Sequence, residues 1–238
     1  MIGRALSADW LKIRGKGVWF LVFLGPLGLA AMQALNFGLR YDYLVNRYGD
    51  DLWGTLLDNL ADFVPVALFL GATLLCSLIG NVEHQMSSWK QLLALPISRT
   101  SVFLSKLILT LSLLAVSCVL LSVSAAALGW ALGFPLGELP VVDLIRLGFV
   151  SYAAALPAVS LQLWMSLSFR NQGWPVTIGV FAAVFSLFAG AVSEYIPLAW
   201  PALAWSGPHK EWFAGGGAAL GLLLLLPFAM HFARKDVA

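Results

Sequence analysis

The 238 residues are 60% hydrophobic and only 11% charged, with a mean hydropathy of +0.86. A soluble domain carries roughly 25% charged residues, so a water-soluble globular protein is excluded. A net charge of +2 is too small to point to a nucleic-acid partner, and none is expected.

In chain order, residues 1–14 place Ile2, Leu6, Trp10 and Ile13 at helical spacing, with Arg4, Ser7, Asp9, Lys12 and Arg14 off that face. This pattern predicts an amphipathic helix in the headgroup region; a frayed basic tail is the alternative. The basic start followed by apolar residues 18–31 resembles a signal peptide. The apolar run continues past a normal signal core, however, and five more follow, so a retained first span is expected.

A helix needs about 20 mostly apolar residues to cross the hydrocarbon core. Six segments qualify, at about 17–38, 60–80, 103–130, 144–168, 174–192 and 213–232. Each must be helical, because backbone groups in lipid have to bond within their own segment. The expected fold is therefore an all-α polytopic membrane protein, with residues 1–238 as a single transmembrane domain. Gly25-Pro26 and Pro157 predict kinks in the first and fourth spans. The glycines 215–217 and Gly221 predict close helix packing in the last.

Six spans put both termini on one side. The segments on that side hold ten basic residues against Asp9, Glu83 and Asp236; the opposite segments hold four against nine acids. Cytoplasmic loops carry the excess of Lys and Arg, so both termini and the loop 81–102 are expected to be cytoplasmic. Arg99 falls at the corner into the third span and Lys106 where that span meets the headgroups. On the outer side, headgroup anchoring accounts for Tyr41, Tyr43, Tyr48 and Trp53 in the segment 39–62. The Pro- and Trp-rich segment 193–212 reads as a re-entrant segment or a stiff loop.

Catalytic chemistry is absent from the sequence. His84, His209 and His231 are scattered, and there is no HExxH, GxSxG or GxxxxGK[ST] motif. Cys76 and Cys118 lie in apolar runs and read as buried thiols. No charge sits clearly in mid-membrane, which disfavours the alternative of a stand-alone secondary transporter or channel. No enzyme activity and no cofactor are expected in this chain. Gln33, Asn36, Gln162 and the span serines read first as polar glue between helices.

The stretch NVEHQMSSWKQLLALPISRTSVFLSK, residues 81–106, is the polar-rich island between two apolar runs. Val82, Met86, Trp89 and Leu93 follow i, i+4, i+7, i+11, and Leu92 widens the stripe, which predicts an amphipathic helix. Pro96 ends it, since the residue before a proline avoids the helical region. Ser98 or Thr100 then caps the third span. Spacing alone leaves two readings: a helix resting on lipid, or a lever that a soluble partner grips.

The run E-H-x-x-x-x-x-W-K-x-L-L-A-L-P-I-S-R-T…K over 83–106 resembles permease subunits of type 2 ATP-binding-cassette (ABC) exporters. It is most similar to the six-span permeases of the lantibiotic-immunity and bacitracin-resistance group. That resemblance implies a cytoplasmic coupling helix at about 84–95, with Glu83, Met86, Trp89, Lys90, Leu92, Leu93, Pro96, Ser98 and Arg99 in the ATPase-coupling region. It implies an ABC ATPase dimer holding ATP and Mg, and a second permease copy or a sister permease. It further implies an amphipathic antimicrobial peptide or similar hydrophobic substrate, exported across the bacterial cell membrane.

Overall fold

The computed structural model describes residues 2–49, 51–85 and 98–234. Among them every regular element is helical. The chain begins with α1 (Ile2–Lys12) and turns through Gly15 and Gly17, both at positive φ, into α2 (Val18–Tyr48). The left-handed region is nearly free of cost only for glycine, which is why this short turn needs two of them. Then follow α3 (Leu52–Ala61), α4 (Val64–Gln85), α5 (Arg99–Ala131), a short 3-10 turn (Leu136–Glu138), α6 (Val141–Ser168), α7 (Gly173–Val192), α8 (Trp200–Ser206) and α9 (Lys210–Arg234).

Five of these, α2, α4, α5, α6 and α9, are long and apolar enough to cross a membrane; a sixth, α7, has a shorter apolar run, Gly173–Ala189. The 33 residues of α5 extend about 50 Å, more than the hydrocarbon core, so the helix must tilt or project beyond it. The last four predicted spans lie inside the observed helices, whereas the second, 60–80, begins in the end of α3 and the turn before Val64. Cys76 and Cys118 are buried free thiols, as expected.

Two outer segments depart from their sequence reading. The stretch after the first span is helical: α2 breaks at Arg40 (φ −128°, ψ 23°), continues to Tyr48, and is followed by α3. Asp51 starts α3 by accepting from the Gly54 backbone N–H at 2.7 Å, an N-cap that replaces a missing intrahelical partner. Trp53 is not an interfacial anchor. It is 4% exposed, its indole N–H donates to the Pro135 carbonyl at 3.2 Å, and its ring meets Phe134 edge-on at 5.3 Å. Segment 193–212 forms the short helix α8, held by Ser151 Oγ donating to the Pro201 carbonyl at 2.9 Å.

The bundle is knitted by small residues and by polar glue. α6 lies against both α9 and α4, and α7 packs chiefly on α4. Gly221 of α9 brings its backbone so close to α6 that an added Cβ would stand 2.6 Å from Leu156 Cβ. Gly217 does the same against Ala154, but Gly215 and Gly216 face open space, so only part of the glycine run packs.

Pro26 and Pro157 sit inside continuous helices. Pro26 lacks the N–H that would reach the Val22 carbonyl four residues back, and Ser117 Oγ from α5 donates to that carbonyl instead at 3.1 Å. Gln33 donates to the Asn59 carbonyl at 3.1 Å and Gln162 to the Pro175 carbonyl at 2.9 Å, each joining two elements.

Candidate functional site: a buried ion cluster between α1, α4 and α5

At the end of the bundle that carries α1 and the C-terminus of α9, four charged side chains meet. Lys106, about two turns into α5, is 1% exposed. Its Nζ donates to Glu83 Oε1 at 2.8 Å and to Asp9 Oδ1 at 3.0 Å. Glu83 ends α4, is also 1% exposed, and accepts from Lys12 Nζ at 3.0 Å. Asp9 accepts a further bond from Ser105 Oγ at 2.7 Å. Two ammonium groups face two carboxylates, so the cluster is neutral as a unit. Three ion pairs join these side chains.

The sequence folds this way locally for a simple reason. α1 docks on α5, and Asp9 sits one helical turn before Ile13, whose N–H donates to its carbonyl. Ile13 is buried, while Trp10 and Leu11 remain exposed. The face of α1 that meets the bundle therefore includes the polar residues Asp9 and Lys12, a different orientation from the apolar face expected from spacing alone. Lys106 likewise does not reach the headgroups: it is sealed beneath α1.

Taking such charges out of water costs several kcal/mol per ion, and only close, multiple contacts offset that cost. Here each buried charge has at least two partners. The cavity among these side chains is about 10 Å³, at the lower limit for one water. It has no room for a transported solute. What the cluster can do is mechanical: it clamps the outgoing stem of the 86–97 segment (Glu83) to the returning stem (Lys106) and ties both to α1.

Of the residues singled out by the sequence, Met86, Trp89, Lys90, Leu92, Leu93 and Pro96 lie outside the described residues. Glu83 is in the cluster. Ser98 is the N-cap of α5, accepting from the Ser101 N–H at 3.2 Å, so the capping role falls to Ser98 and not to Thr100. Arg99 donates to the Ala233 carbonyl at 3.4 Å, which ties the corner to the end of α9. Phe103 packs against Phe232 in the same place, with ring centroids 5.8 Å apart. Lys12 was missed as a partner of Glu83, and Asp9 as a partner of Lys106. The available signal was an isolated acid in an otherwise basic N-terminus, together with a lysine seven residues inside an apolar helix.

A helical bundle with five long apolar helices, a sixth shorter one and buried charge confined to one end defines a polytopic membrane protein. The family model described as ABC-2 family transporter protein matches residues 5–186, well over half of the chain. The chain belongs to that family and is a membrane permease of the ABC-transporter type. Neither the curated proteins nor the solved structures gave a match.

Proposed function

We propose that the chain is the permease subunit of an ATP-driven exporter in the bacterial cell membrane, with both termini cytoplasmic. ATP and Mg belong to a separate ABC ATPase dimer. The substrate is an amphipathic antimicrobial peptide of the lantibiotic type, or a similar hydrophobic compound, cleared from the membrane to the outside. Two permeases, identical or sister chains, form the pathway.

The family membership carries this reading. Three features support its details. The basic residues concentrate on the side of the termini. The two stems of the 86–97 segment are rigidly joined by the Glu83–Lys106 pair, so a push on that segment is delivered to α4 and α5 together. Among the described residues, the buried charges all sit at one end, with none at mid-span to carry a coupling ion.

The test is co-purification with the ABC ATPase. Trp89→Ala combined with Leu93→Ala removes the apolar stripe of the coupling segment and lowers ATPase recovery, while membrane insertion stays normal. Undiminished ATPase recovery would rule out the docking role. Inverted vesicles holding both subunits accumulate a labelled lantibiotic only with ATP and Mg; ATP-independent uptake by the permease alone would overturn the exporter reading.

A further inference from the structure

At the end of the bundle opposite the ion cluster lies a cleft of about 300 Å³ between α3, the 3-10 turn, α6, α8 and α9. Its size is in the range of small-molecule sites and roughly ten times the volume share of a water. The lining is amphipathic. Trp53 and Leu57 form a buried apolar wall, 4% and 2% exposed. The rim carries carboxylates, Glu138 and Asp143 among them, together with the cations Arg146 and Lys210.

These opposite charges share one cleft without neutralising each other. No ion pair joins them, even though Asp143 and Arg146 stand three residues apart on one helix, the spacing at which such side chains ordinarily meet. Arg146 thus presents a planar set of donors and Asp143 a free acceptor pair to the same space. The aromatic walls are already committed. Trp53 donates its N–H to Pro135 and Trp205 to Asp58, and Lys210 lies 5.8 Å from the centre of the Trp205 ring.

We propose that this cleft binds the headgroup of a phospholipid bearing a primary ammonium, of the phosphatidylethanolamine class. The phosphate meets Arg146 and Lys210, and the ammonium meets Asp143 and Glu138. Depth selects a lipid over a soluble ligand. The cleft is lined by residues at the starts of α6 and α9, where those membrane-crossing helices leave the headgroup layer. The apolar wall of Trp53 and Leu57 receives the glycerol and the first methylenes. A primary ammonium is selected over a quaternary one. Carboxylates accept its three N–H bonds, whereas a quaternary ammonium is held by open aromatic faces, and the Trp205 face is taken by Lys210.

The experiment uses the full-length permease in nanodiscs containing equal amounts of phosphatidylethanolamine, phosphatidylglycerol and phosphatidylcholine. Lipid retained after detergent extraction is counted by native mass spectrometry. Phosphatidylethanolamine is retained in preference to the other two. Arg146→Gln, which removes one charge-assisted contact to the phosphate, reduces phosphatidylethanolamine retention about tenfold. Asp143→Asn lowers the preference over phosphatidylglycerol specifically, because it removes the ammonium acceptor. Arg47→Gln, at the same end of the bundle but outside the cleft, leaves retention unchanged and monitors folding. Equal retention of the three lipids by the wild type overturns the proposal. So does wild-type retention by Arg146→Gln, or an equal loss in Arg47→Gln. Binding of free glycerophosphoethanolamine with no lipid retained overturns the membrane source.

Discussion

Replacing Lys106 with Met is the most informative perturbation of the ion cluster. The side chain is of similar length, but its ammonium is gone. Asp9 and Glu83, which lie 3.0 and 2.8 Å from that ammonium, then face each other across an uncharged gap. Lys12 pairs with Glu83, and Asp9 keeps only the Ser105 hydroxyl and no charged partner. Removing one member of a buried ion pair costs about 3–5 kcal/mol, and two carboxylates losing one shared partner places the loss toward the upper figure.

Lys12→Met is the matched control. Lys12 is 27% exposed, and Glu83 keeps its closer bond to Lys106, so the loss is expected below about 1 kcal/mol. Neutralising the buried unit as a whole, with Asp9→Asn, Glu83→Gln and Lys106→Met together, recovers most of the loss, because no uncompensated charge remains in the buried core. The assay is the midpoint of denaturant unfolding in mixed micelles, read by the fluorescence of the ten tryptophans. Two results would refute the reasoning: equal losses in Lys106→Met and Lys12→Met within about 1 kcal/mol, or a triple variant no better than Lys106→Met alone.

Two further outcomes follow from helix packing. Gly221→Ala forces a Cβ to within 2.6 Å of Leu156 and costs about 1–3 kcal/mol in the same unfolding assay. Gly216→Ala meets nothing within 4 Å and stabilises α9 by up to about 1 kcal/mol through helix propensity. Ser117→Ala strips the donor from the Val22 carbonyl and costs about 1–3 kcal/mol. In a Pro26→Ala background the restored N–H serves that carbonyl, and a double-mutant cycle then shows the Ser117→Ala loss reduced to about 0.5 kcal/mol or less.

The spans were legible because length and apolarity alone decide them, and the start of α5 because Ser98 is a local cap. Contacts between distant parts of the chain were not. Asp9 looks like a solvated polar residue on an amphipathic helix until α5 is laid beside it, and Lys106 looks like a residue at the membrane surface until α1 covers it; the bonds of Asp9 to Ser105 and Lys106 span 96 and 97 residues of sequence. Trp53 shows the same limit. An aromatic among acids reads as an interfacial anchor, and only the approach of Gly129 and Phe134 makes it part of the core. The helices continue through Pro26 and Pro157; at Pro26 the donor that compensates the missing N–H comes from another helix, which no local pattern records.

The ion cluster also imposes an order on biosynthesis. α1 is made first, yet the ammonium that neutralises Asp9 belongs to α5, and Glu83 is made before Lys106 as well. Until the third span is inserted, Asp9 has no charged partner and Glu83 must stay hydrated or rely on Lys12. The cluster is therefore completed by the delivery of one lysine, and a chain stalled before it carries an exposed acidic flag at the mouth of its second span.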